Sequence, residues 1–245
     1  MEFHIAHLYY DILNLYGEHG NVNALKRQLE TQGIEPVIHF LSVDDEIDVS
    51  KFDLIYIGAG TEENEKFVLT HLLKYKDDIL SAIEKGTFFL ITGSALNFFG
   101  KKWIQKDETE LECLGAFDYE IKEEPMRMID ECYFTCDFLK TPVIGFQNQC
   151  TVMKNNDVTI FSVKRGVGMY PNSKREGVHK NHFYGTYLIG PVLVRNPELL
   201  QYLVMEMIHA KYPDVVFQPF DLDLDLKAHD HYIDRYFSKL KIEEE

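Results

Sequence analysis

The chain has 245 residues, 45% hydrophobic and 27% charged, the mix of a folded globular protein with a sizeable core rather than a disordered one. Forty acidic residues against 25 basic ones give a formal charge of −15, which repels phosphate backbones and anionic lipids and argues against nucleic-acid and membrane-surface roles. No apolar run reaches bilayer length, no basic leader opens the chain, and Cys113, Cys132, Cys136 and Cys150 do not resemble a secreted disulfide framework, so a cytoplasmic protein is expected.

The opening part of the chain alternates strand and helix patterns. Residues 3–9 read as a first strand. Asn21 then caps a helix carrying Val22, Leu25 and Leu29 on one face, and Gly33 stops it. Residues 36–41 form a second strand, and residues 53–57 a third whose near-continuous apolar character fits a parallel strand covered on both faces. A helix over 65–85 ends at Gly86, and 87–92 make a fourth strand. Such alternation implies right-handed crossovers and an open parallel sheet. From 114 to 163 the pattern predicts shorter strands in hairpin spacing, and residues 166–181 read as a long loop. Residues 184–188 are strand-like, Pro197 starts a helix to about 210, and the acidic alternation 221–226 reads as a solvated edge before a last amphipathic helix. No repeat or linker divides the chain, so one domain over residues 1–245 is expected.

In an open parallel sheet, ligands bind beyond the carboxyl ends of the strands. The third strand leaves through Gly58-Ala59-Gly60, where two glycines let backbone N–H groups turn inward as a nest for an anion or oxyanion. Its plain alternative is an ordinary turn. The fourth strand leaves through Thr92-Gly93-Ser94-Ala95-Leu96-Asn97, a strand, small-residue turn and helix in the manner of a nucleophile elbow. Here the alternative is a tight turn without chemistry.

Four strings now carry a resemblance. Residues 11–22, Asp-Ile-Leu-Asn-Leu-Tyr-Gly-Glu-His-Gly-Asn-Val, are similar to a Leu-Asn-Leu-Tyr-Gly-Asp-x-Gly-Asn motif. Gly58-Ala59-Gly60 with Glu62 and Glu65 is similar to a Gly-Gly-Gly oxyanion loop, and Gly145-Phe146-Gln147-Asn148-Gln149 to a Gly-Phe-Glu-Asn-His segment. Residues 185–193, Gly-Thr-Tyr-Leu-Ile-Gly-Pro-Val-Leu, follow a Gly-Thr-Tyr-Leu-His-Gly-Pro motif. Nearly end to end, the chain resembles the CobB/CobQ-like branch of class I glutamine amidotransferases, within it the glutaminase subunits that serve a Mur-ligase-like synthetase. That resemblance implies a flavodoxin-like α/β fold, a three-layer sandwich with a central, mostly parallel sheet. It also implies a Mur-ligase-like synthetase subunit as partner, glutamine or a related small molecule as ligand, and no cofactor or metal.

The departures concern the chemistry. The family nucleophile is the cysteine of a Cys-Gly-Gly-Tyr-Gln-x-x-Gly elbow; an ungapped count back from Gly100 places Gly93 there, one extra residue places Thr92, and a slipped turn places Ser94. The family base is the histidine of Gly-Thr-Tyr-Leu-His-Gly-Pro, and here that position is Ile189. Hydrolysis of glutamine by this route needs a thiolate to attack and an imidazole to activate it and protonate ammonia. With both absent, a glutaminase-inactive partner or binding subunit is expected. The competing expectation is an active amidotransferase with relocated residues, in cell-wall-precursor or cobalamin-type amidation.

The remaining candidates divide by setting. Asn97, Gln147 and Asn148 join Gly58, Ala59 and Gly60 as ligand-binding candidates from the motifs, and Arg127 aligns with a family arginine near the site, its ordinary reading being a surface ion pair. Cys132 and Cys136 are expected to be buried structural thiols, and Cys150, close to the pocket, mostly structural. His179 and His182 read as solvated loop residues, and His229-Asp230-His231 falls short of a metal site.

Overall fold

The computed structural model describes residues 1–239. Its central sheet contains β1 (Glu2–Leu8), β2 (Glu35–Leu41), β3 (Leu54–Ile57) and β4 (Phe88–Thr92), with β11 (Val178–Lys180) and β12 (Phe183–Thr186) added from the C-terminal half. The order is β11-β12-β4-β3-β1-β2, and every pairing is parallel except β11 with β12. This is the mostly parallel sheet expected from the alternation of strands and helices.

Strand periodicity distributes the core between two faces. Ala6, Leu8, Ile55, Ile57, Phe89 and Ile91 meet α2 (Glu62–Leu72) and α3 (Lys76–Lys85) through Val68, Leu69, Leu72 and Ile79. The alternate residues Phe3, Ile5, Leu54, Tyr56, Phe88 and Leu90 meet α1 (His19–Thr31) and α5 (Pro197–Lys211) through Val22, Leu25, Leu29, Leu203 and Val204. The continuous helix expected over 65–85 is two helices joined by a 3-10 turn at Leu73–Tyr75. Gly86 ends the second in the left-handed region, at φ 87°.

The middle of the chain differs most from expectation. Instead of several short strands, a long hairpin is formed by β7 (Glu120–Thr135) and β8 (Val143–Lys154). Register shifts between Glu123 and Met128, where Pro125 has no N–H to give the ladder, so a bulge replaces a strand end. This hairpin anchors a second sheet with β5 (Lys102–Ile104), β6 (Glu110–Glu112), β9 (Phe161–Arg165) and β10 (Arg175–Glu176). The expected loop at 166–181 therefore contains β10 and β11. A buried carboxyl explains how: Glu176 accepts from the Tyr187 N–H at 2.6 Å and the Thr186 hydroxyl at 2.9 Å. After α4 (Val192–Arg195), α5 and an irregular stretch, α6 (Asp223–Tyr236) closes the described chain. Much of the acidic alternation expected as an edge is the first turn of α6, where Asp223 and Asp225 suit the positive end of the helix dipole.

Candidate functional site

The site is built where β1, β3, β4 and β12 end. Between β1 and α1 the chain crosses these ends as a loop, and Glu18 from that loop is fully buried beneath it. Its Oε2 accepts the hydroxyls of Tyr56 at 2.7 Å and Thr92 at 2.8 Å, and its Oε1 accepts the Gly190 N–H at 3.1 Å. Burial pushes the Glu18 carboxyl above the ordinary range, against the three hydrogen bonds that favour the anion. Asn21 completes the hub: its side chain donates to Tyr56 and the Gly190 carbonyl and accepts from the Leu193 N–H. The first and last motif strings are thus one hydrogen-bonded unit. Gly20 adds close packing, since a Cβ there would stand 2.5 Å from Cβ of Pro191.

The turn after β4 gives the three candidate positions different surroundings. Thr92 is still in the strand, and its side chain joins Tyr56 and Glu18 on the face that packs against α1. Gly93 has φ +65° and turns the chain, its N–H donating to the Leu188 carbonyl at 2.9 Å. A left-handed turn residue directly after the strand is the geometry an elbow requires, which favours the ungapped count. Ser94 points elsewhere, to Oε1 of Glu65 at 2.5 Å. Ile189, 5% exposed, flanks the turn: a Cβ on Gly93 would lie 3.1 Å from its Cγ2. The helix expected after the elbow is a 3-10 segment, Gly93–Phe99.

The loop after β3 is not the nest its glycines predicted. Neither Gly58 nor Gly60 lies at positive φ. Both are needed for contact instead: a Cβ on Gly58 would stand 2.7 Å from Cβ of Glu18 and 2.9 Å from the Leu13 carbonyl oxygen, and one on Gly60 would run into the Leu13 side chain. The Gly60 N–H, the candidate oxyanion donor, is taken by Oε1 of Glu65 at 3.1 Å. Glu65 is fully buried, its Oε2 has no partner, and burial pushes its carboxyl up to about 8, which favours the protonated form.

A second polar cluster lies at the rim. Arg127, from the β7 bulge, pairs with Glu62 at the start of α2 and donates to Oδ1 of Asn148 at 3.0 Å. Asn148 in turn donates to the Tyr16 hydroxyl at 3.0 Å. Cys150 reaches Oε1 of Glu62 at 3.4 Å, and burial together with that carboxylate pushes its thiol up to about 11. Arg127 and Asn148 are therefore brought together beside the loop, with the guanidinium already neutralised by an acid of the same chain. Tyr16 and Glu18 from the first motif string, Tyr56 from β3, and Glu62 and Glu65 from the loop motif enter the site as polar partners to which the motifs assign no role. The i, i+3 spacing of Glu62 and Glu65 on a helix start was the available signal.

Other candidates are occupied internally. Gln147 accepts from the N–H groups of Val167 and Gly168 and from the Cys132 thiol, and donates to Gln149 and the Gly168 carbonyl, so it holds the 166–168 turn. Asn97 is pinned by the Tyr187 hydroxyl at 2.8 Å and by Thr151. His182 stacks on Phe88 with ring centres 4.0 Å apart and bonds the Gly86 carbonyl, at the opposite end of β4 from the elbow. His179 stacks on Tyr184, and neither histidine is a free loop residue. Burial raises the thiols of Cys132 and Cys136, the latter to about 11, as in structural cysteines. His229 is buried in α6 with its Nε2 at the Pro142 carbonyl, 2.9 Å away. Among the described residues no group of three or more His, Cys, Asp or Glu could hold a metal ion, and no helix is long and apolar enough to cross a membrane.

A mostly parallel sheet between helical layers, with a left-handed glycine turn after one strand facing a glycine loop after its neighbour, defines the class I glutamine amidotransferase fold. PurLQS from Thermotoga maritima aligns with 86% of this chain and 99% of its own at a TM-score of 0.56, with 14% identity, a likeness of fold alone. The family model for the CobB/CobQ-like glutamine amidotransferase domain matches residues 4–197, and the chain belongs to that family. It is 30% identical over 236 residues, 96% of both chains, to the lipid II isoglutaminyl synthase (glutamine-hydrolyzing) subunit GatD of Staphylococcus aureus strain N315. The subunit of the same name from Streptococcus pneumoniae strain R6 is 26% identical over 214 residues, covering 86% of this chain and 82% of its own.

Proposed function

We propose that this protein is the amidotransferase-type subunit of a two-component enzyme that amidates a peptidoglycan precursor in the cytoplasm, and that it contributes binding and docking, not glutamine hydrolysis. Similarity to the two GatD subunits along most of their length supports the assembly and its substrate class. A Mur-ligase-like synthetase is the partner this reading requires. One observation carries the loss of chemistry: the residue at the turn after β4 is Gly93, which has no side chain, and its neighbour across the site is Ile189. Without thiol or imidazole there, no nucleophile attacks a carboxamide and no acid delivers a proton to ammonia. Free ammonia would then have to reach the synthetase from solution. An ammonia-release assay with glutamine, on the protein alone and with its co-purified partner, tests this; release no greater than a heat-killed control is expected in both.

The short Ser94–Glu65 hydrogen bond favours a second reading. Here Ser94 would attack the carboxamide carbon, Glu65 would take the hydroxyl proton and pass it to the departing ammonia, and water would hydrolyse the resulting ester. Glu65 acts as a base only when ionised, so such activity should rise toward pH 8 and vanish in Ser94→Ala. The fully consumed Gly60 N–H, which leaves the oxyanion one donor short, makes this the weaker reading.

A further inference from the structure

The missing nucleophile is accompanied by a change in the space around it. A Cβ placed on Gly93 would stand 2.5 Å from Cβ of Ala59 and 3.5 Å from its Cα, as well as 3.1 Å from Cγ2 of Ile189. Carbon atoms settle at about 3.5–4.0 Å, so the first distance is a collision. The obstructing atom is a Cβ fixed to the backbone, not the far end of a flexible side chain. Ala59 has little freedom to withdraw: it is 1% exposed, and its carbonyl accepts the Leu15 N–H at 3.1 Å, which ties it to the loop crossing above. Gly93 is equally fixed through Leu188 on the other side.

We infer that Ala59 seals the elbow: its methyl fills the volume any side chain at position 93 must use, so the site has lost both its nucleophile and the room for one. Ala59 stands where the related motif has the middle glycine of Gly-Gly-Gly, and its methyl is the atom that separates the two arrangements. Ile189 closes the same volume from the second side, and Glu65 occupies the Gly60 N–H of the neighbouring loop. Position 93 therefore cannot regain a cysteine by a single substitution, and Gly93→Cys with Ile189→His is likewise blocked while Ala59 remains. The inference rests on the reading of Gly93 as the nucleophile position. Glutamine hydrolysis by the wild-type chain would defeat that reading yet leave the steric coupling intact, so the two fail separately.

A double-mutant cycle in the full-length protein decides it. Gly93→Ala adds one methyl, and the backbone strain of a side chain at positive φ is common to both backgrounds and cancels. Denaturant unfolding is measured for wild type, Ala59→Gly, Gly93→Ala and the double variant. Gly93→Ala is expected to reduce the folding equilibrium constant about tenfold or more further in the Ala59 background than in Ala59→Gly, the usual scale of overpacking. An equal reduction in both backgrounds overturns the proposal. Should Gly93→Ala fail to fold, recovery of a cooperative transition in Ala59→Gly/Gly93→Ala supports it, and failure of that double variant as well overturns it.

Discussion

The Thr92 hydroxyl donates to Oε2 of Glu18 across 2.8 Å, joining the last residue of β4 to a loop that precedes α1 by sequence. Because Tyr56 shares the same carboxylate oxygen, Glu18 holds two adjacent strand ends and, through Gly190, the segment after β12. Thr92 is consequently a structural donor on the face of the sheet that packs against α1.

Thr92→Val should therefore destabilise the protein by about 1–3 kcal/mol, the cost of removing one partner of a buried polar group, without altering any ligand response. Urea unfolding measures it. Thr92→Cys/Ile189→His is expected to release no ammonia from glutamine, since a thiol at 92 would point at Glu18; turnover in that variant would mean that the elbow lies one residue earlier.

Glu65 supplies a pH signature. Its folded-state pKa of about 8 lies above its ordinary 4.5, so between these values the folded protein holds more protons than the unfolded chain. Its contribution to stability is complete below pH 4.5 and is lost as pH rises toward 8. Glu65→Gln keeps the acceptor for Gly60 and Ser94 but cannot ionise. Relative to wild type, that variant should gain stability with rising pH across this window, on the order of 1.4 kcal/mol per unit at its steepest. Thermal midpoints at pH 5 and pH 8 check this, and a constant difference between the two proteins would contradict the assignment.

Glutamine itself should bind weakly. Ile189 offers its carboxamide no partner, Arg127 is already paired with Glu62, and the Gly60 N–H is used by Glu65. Buried polar groups left unpaired cost binding energy, so calorimetry should give a dissociation constant of about 1 mM or weaker. A micromolar value would refute this. Glu62→Gln, which releases the Arg127 guanidinium, should tighten whatever carboxylate binding exists.

The Glu62–Arg127 pair is otherwise of small consequence for folding. Both side chains are more than a third exposed, at 37% and 41%. Arg127→Ala should lower stability by about 1 kcal/mol or less, with little left at high salt. Denaturant midpoints at low and high ionic strength provide the comparison.

Much of the fold is determined by the sequence alone. Apolar runs such as residues 54–57 and 88–92 are legible because a parallel strand buried on both faces has no polar side, and Gly33 and Gly86 mark helix ends because both sit in the left-handed region. The long strings around Gly17–Asn21 and Gly185–Pro191 identify the family for a related reason. They form one buried hydrogen-bonded unit, and a buried network tolerates few changes of residue type. What the sequence left open depends on contacts between distant segments. Whether Thr92, Gly93 or Ser94 makes the turn is decided by the pairing of β4 with β12, which places Thr92 opposite Thr186 and leaves the next residue to turn. The role of Gly58 and Gly60 as close-packing residues follows from the loop that carries Leu13 and Glu18 lying on them, a contact across forty or more residues that no local pattern encodes. Likewise Gln147 and Asn148 are neighbours in one strand, and strand alternation sends the first inward to hold a turn and the second outward to Arg127. Composition and spacing give the list of polar residues; only the packed fold determines which of them are consumed holding it together.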